Sequence, residues 1–200
     1  MKIRFDSPFW ERMGKLYSLI MLNLLWIVFS IPIITVGPST VALHRTMVHV
    51  INGNEVQLFA EFYQSFKQNF KRNMLAGLMV VGFGMLLLSS QNFYFEVGNQ
   101  TSQMIYYFYL FVVLLFALFL VYVFPVLGTY EGSILELFRT SLFLAIKHLP
   151  MSILMVVIDF LIIYACQMMI PLVLVGVSLI AFINLRCQAP QKDKNRKLFA

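Results

Sequence analysis

One residue stands apart in the stretch LMVVIDFLII: Asp159, a carboxyl group in the middle of an uncharged apolar run. An acid placed there costs about 2.5–3.5 kcal/mol to insert into hydrocarbon, so it must face other protein groups. Two kinds of chemistry fit it: a functional acid that pairs or takes up a proton inside the bundle, or a structural hydrogen bond to Asn23, a tyrosine or a backbone group. Asn23, one-third of the way along another apolar run, fits a hydrogen bond between helices.

The remaining reactive side chains form no catalytic pattern. His44 and His49 are five apart and do not share one helix face well, and His148 stands alone. No H-E-x-x-H, glycine-rich phosphate loop or G-x-S-x-G occurs, and no compact metal-ligand set is present. Cys166 and Cys187 form no C-x-x-C; Cys166 reads as a small apolar filler. The chain is therefore expected to be non-enzymatic, without cofactor or metal. With no ATP-binding motif it cannot itself use ATP in the usual way.

The elements that hold Asp159 follow from composition. The 200 residues are 60% hydrophobic and 12% charged, with 20 Phe and 12 Met. A soluble domain carries about 25% charged residues, so this chain has too little polar surface for water. The expected fold is all-α: a polytopic membrane helix bundle forming one integral membrane domain over 1–200. Its expected spans are 17–36, 74–95, 104–127, 149–167 and 170–185, with a basic tail at 186–200. The last two come from a single run of 37 residues, too long for one ordinary span, divided near Gln167–Pro171, where Pro171 suits a first helical turn. Gly77, Gly82 and Gly84 are expected to let helices approach closely.

Five crossings place eleven of the 15 Lys and Arg on the side of the C-terminus, which predicts a cytoplasmic tail. The other four, Lys2, Arg4, Arg12 and Lys15, precede the first span. An even number of crossings, or a first segment that re-enters at Pro32, would put both ends inside. The loop EVGNQTSQ has no Lys or Arg and is flanked by aromatic residues, as at a membrane interface. Its Asn99-Gln100-Thr101 matches a glycosylation pattern too short to carry weight.

The stretch IPIITVGPST reads as a kinked exit from the first span. Pro32 removes a backbone donor, and Thr35 is placed to satisfy a freed carbonyl. Gly37 is expected to end the helix with Pro38 beyond it, and Ser39 or Thr40 to cap the next element. Asn52-Gly53-Asn54 signals a turn. Phe59, Phe62, Phe66 and Phe70 then recur at helical spacing, with Lys67 and Lys71 nearby. This predicts an amphipathic helix on the membrane surface whose aromatic face packs on its own bundle or contacts a partner. The spacing Phe62 to Lys71 is echoed from Phe138 to Lys147, and Pro32 by Pro125, which suggests two related halves.

The segments NLLWIVFSIPIITVGPSTVAL and FAEFYQSFKQNFKRN resemble the YesL-like family of small bacterial membrane proteins, along essentially the whole chain. Asn23, Trp26, Pro32, Thr35, Gly37, Pro38 and Ala42 carry the resemblance most strongly. Members are commonly encoded beside carbohydrate-uptake transporters of the ATP-binding cassette type. The resemblance thus implies a bacterial cell membrane location and an accessory or permease-like role beside such subunits, and it names no catalytic residue. Lipid is the other expected partner. The tail QKDKNRK fits an anchor to anionic headgroups, and nucleic acid is a poor partner without stacking aromatics. The alternative is an autonomous small transporter or channel that uses Asp159. Substrate and oligomeric state are not written in the sequence.

Overall fold

Pro32 divides the N-terminal apolar run into two helices that lie side by side. The computed structural model describes residues 8–52, 57–97, 100–168 and 170–196. Over them run α1 (Pro8–Ser30), a single 3₁₀ turn (Ile33–Thr35), α2 (Val36–Ile51), α3 (Leu58–Lys67) and α4 (Phe70–Val97). These are followed by α5 (Gln100–Thr129), α6 (Ile134–Lys147), α7 (Leu149–Met168) and α8 (Ile170–Arg196). No strand occurs among the described residues. The protein is an all-α polytopic membrane bundle.

Four helices are long and apolar enough to cross a bilayer, through Met13–Ser30, Phe70–Ser90, Gln103–Thr129 and Leu149–Met168. The fifth expected span, 170–185, lies in α8, whose described apolar part is the shorter Val175–Gln188. The first expected span, 17–36, is corrected: α1 stops at Ser30 and the chain turns at Pro32. Proline cannot donate to the preceding turn. The Thr35 hydroxyl lies 2.7 Å from the carbonyl oxygens of both Phe29 and Pro32, and Thr35 N–H donates to Pro32 O at 2.9 Å. The turn thereby satisfies polar groups that lipid would leave bare.

Gly37 and Pro38 do not close a helix; both sit in the first turn of α2, where a missing N–H costs nothing. Ser39 and Thr40 are not caps either. Their hydroxyls donate back to Val36 O inside α2, and Trp26 Nε1 of α1 donates to Thr40 Oγ1 at 3.0 Å. The Ser30 and Ser39 hydroxyls are 2.6 Å apart. These contacts lay α2 antiparallel against α1.

α2 is the hub of the bundle, packed against α1, α3, α4, α5 and α8. One apolar core joins Leu22, Leu43, Met47, Phe62 and Ala181; a second joins Val41, Ala76, Val123, Leu127 and Leu137. Gly37 and Gly77 meet where α2 crosses α4, and Gly84 lies under the Phe116 ring, whereas Gly82 has open space around it and needs no glycine for packing.

The amphipathic segment is two helices. Asn69 takes a left-handed backbone (φ 55°) and ends α3. Phe70 and Lys71 therefore open α4. The sequence echo stops at the backbone too, because α6 continues unbroken to Lys147. α6 begins at a capping box: Ser133 Oγ accepts from Glu136 N–H, and the Glu136 carboxylate accepts from Ser133 N–H. The tight division at 167–170 includes residue 169, which lies outside the described residues; Pro171 falls in the first turn of α8. Also outside them lie Lys2 and Arg4, most of the expected Asn52–Asn54 turn, Asn99 and the last four tail residues.

Candidate functional site

Two polar features sit inside this apolar bundle. The first pairs α7 with α8. Asn184, a buried residue of α8, donates through Nδ2 to Asp159 Oδ2 at 2.9 Å and to Oδ1 at 3.2 Å. Asp159 itself is half-buried. An amide that offers its proton to both oxygens of a carboxyl group spreads the charge and fixes the rotation of two neighbouring helices. Asn184 Oδ1 is buried without a hydrogen-bond partner among the described residues. Asn23, the partner considered for Asp159, is fully buried on α1, within the stretch that packs against α2 and α8. The partner that sequence reasoning missed was visible only as one polar residue in AFINLR.

The second feature is a half-open cleft of about 220 Å³ between α2, α5 and α8. His44, Arg45, His49, Pro125, Thr129 and Leu185 line it, together with Val48 and Gly128. His44 and His49, which do not share one helix face well, both line this cleft because α5 and α8 close it. The His44 ring stacks on Phe124, 6.5 Å between centroids and 2° between planes, and its Nδ1 is buried with no hydrogen-bond partner among the described residues. Burial holds the His44 pKa down, from 6.5 to about 4, so the ring is neutral at physiological pH. Arg45 donates to the Gln68 side chain and His49 Nε2 sits 3.4 Å from Glu61 Oε1, which ties the cleft rim to α3 and its C-terminal turn.

The aromatic residues of α3 divide. Phe62 is fully buried, and Phe62 and Phe66 pack on Phe29 of α1 at 5.4 and 4.9 Å between ring centroids. Phe70, now on α4, meets Phe66 at 5.3 Å. Phe62 is thus removed from the set of partner-contact residues. Phe59 and Tyr63 stay exposed and stack on each other, with Lys67 Nζ 4.4 Å from the Tyr63 ring centre. α6 shows a comparable outer face of Leu142, Phe143 and Ile146, with Lys147 over Phe143. The described residues contain no group of three or more His, Cys, Asp or Glu arranged to hold a metal ion. Pro32 and Thr35 form the turn, and Gly37 and Pro38 start α2, so this motif is structural in its contacts.

A family model described as "Protein of unknown function, DUF624" matches residues 19–90, which run from mid-α1 through the turn, α2 and α3 into α4. The chain is 28% identical over 139 residues to the uncharacterized protein YesL of Bacillus subtilis (strain 168). That alignment covers 67% of the chain and 65% of YesL, just under two thirds of the relative. No solved structure matches the chain. The family match and the relative show that this chain is similar to YesL-like proteins.

Proposed function

We propose that this protein is a non-enzymatic membrane component that assists solute uptake, with carbohydrate as the solute class and transporter subunits of the ATP-binding cassette type as partners. The observation that carries the reading is the outward face of the connecting helices. Phe59, Tyr63 and Lys67 on α3, and Phe143, Ile146 and Lys147 on α6, present aromatic and basic groups beside the ends of the spanning helices. Exposed aromatic residues are enriched where proteins make contact. The carbohydrate assignment rests on the family resemblance alone.

The Asp159–Asn184 pair favours a second reading, an autonomous small carrier or channel in which Asp159 handles a proton or cation. One experiment separates the two. In a strain lacking this protein, uptake of a labelled oligosaccharide is measured after complementation with variants. The accessory reading expects Asp159→Asn to restore uptake and Phe143→Glu to fail. The carrier reading expects the reverse, and full uptake without the protein contradicts both.

A further inference from the structure

The path of α1 and α2 has a consequence for how the chain sits in lipid. Trp26 reaches Thr40 and Ser30 reaches Ser39, so α2 returns along α1. The turn between them projects apolar side chains outward: Ile31, Ile33 and Ile34 are 76%, 66% and 53% exposed. No charged residue lies between Ser30 and Thr40. Three neighbouring exposed isoleucines facing water would form a sticky tip. The same tip suits hydrocarbon, and its backbone is already closed by the Thr35 contacts to Phe29 and Pro32, as lipid requires.

The level of the hairpin is set by its neighbours. Gly37 touches Gly77, seven residues into α4, or about 10 Å at 1.5 Å per residue. The turn Ile33–Thr35 also packs on α4. Further along α2, the Val41 carbonyl lies 3.6 Å from a Cβ built on Gly128, and Arg45 pairs with Gln68. Arg72, at the start of α4, donates to Leu127 O at 3.1 Å, near the end of α5. The middle of α2 therefore sits at the end of the bundle where α4 begins and α5 finishes.

We propose that α1 and α2 form a re-entrant hairpin: it enters the bilayer from that end, seats its isoleucine tip among acyl chains, and returns to the same face. α4, α5, α7 and α8 then make the four complete crossings. The N-terminus, α3, α6 and the C-terminal tail share one face, and the last turn of α4, the first of α5, the last of α7 and the first of α8 lie toward the other. All 15 Lys and Arg fall on the first face, including Lys2, Arg4, Arg12 and Lys15, which five crossings would strand opposite. A bias of Lys and Arg in short loops marks the cytoplasmic side, so both ends are cytoplasmic. This arrangement does not depend on which partner the protein serves.

The test uses single cysteines in the full-length chain after Cys166→Ser and Cys187→Ser. In intact cells a membrane-impermeant maleimide should label Asn99→Cys. It should label Lys2→Cys, Asn52→Cys and Gly132→Cys only after permeabilisation. Ile33→Cys should resist the reagent from both sides, and a fluorophore placed there with a permeant reagent should be quenched by spin-labelled lipid. Green fluorescent protein fused to either end of the otherwise unchanged protein should fluoresce, because it matures only in the cytoplasm. Labelling of Lys2→Cys and Asn52→Cys from opposite faces, labelling of Ile33→Cys from outside, or a dark N-terminal fusion would each overturn the hairpin.

Discussion

Gly37 and Gly77 meet backbone to backbone: a Cβ built on Gly77 would lie 2.4 Å from Gly37 Cα, and one built on Gly37 would lie 2.4 Å from the Asn73 carbonyl oxygen. Nothing flexible is there to move aside. Gly77→Ala should therefore separate α2 from α4 and cost about 1–3 kcal/mol, the usual range for overpacking. Thermal unfolding in mild detergent should show the loss. Gly82→Ala, with nothing within 4 Å of the new methyl, should not lower the midpoint, because alanine favours the helix.

Asp159 and Asn184 should respond unequally to substitution. Asn184→Leu removes the amide that both oxygens of the Asp159 carboxyl group accept from, and should destabilise the α7–α8 pair by about 1–3 kcal/mol. Asp159→Asn keeps an acceptor for Asn184 Nδ2 and should cost less. The double change Asp159→Leu with Asn184→Leu should be milder than Asn184→Leu alone, because no polar group is then left unmatched. Unfolding of the three variants in one detergent gives the comparison.

His44, on α2 and outside the four spanning helices, makes stability depend on pH. Its folded pKa of about 4 lies below the ordinary 6.5, because burial disfavours the charged ring. The unfolded chain therefore takes up the proton first as pH falls. The stabilisation is complete above about pH 6.5 and is lost between there and pH 4, by about 3 kcal/mol at one decade per 1.36 kcal/mol. His44→Gln should flatten this part of the curve, measured as the difference in midpoint between pH 7.5 and pH 4.5.

Ser133 holds the first turn of α6 through its capping box with Glu136. Ser133→Ala should cost about 1 kcal/mol, and Ser133→Asp should keep the cap. Limited proteolysis between α5 and α6 should report the loosened turn as faster cleavage.

Hydropathy made the membrane setting and the α4, α5 and α7 helices readable, because length and apolarity are properties of the segment itself. The turn at Pro32 was harder to place. An apolar run records solubility but not direction, so Ile31–Val36 read as the end of a span when it forms a reversal and the start of α2. Phe62 and Phe66 were legible as one helix face, but their packing on Phe29 depends on α1 and α2 folding back together. Asp159 was legible as an oddity in its run. Its partner is 25 residues away on α8, and that register comes from helix packing rather than spacing. The His44 cleft was missed because its walls come from three helices, and because two histidines five apart on an isolated helix do not converge.

In the proposed function, α3 and α6 act through their outer faces while the inner residues hold the bundle together. Photo-crosslinking in native membranes tests it, with benzoyl-phenylalanine placed in turn at Tyr63, Phe143 and Phe62 and a carbohydrate transporter of the ATP-binding cassette type co-expressed. Adducts with a transporter subunit are expected from Tyr63 and Phe143 and none from Phe62. Absence of adducts from both outer positions, with the protein present and folded, would contradict it.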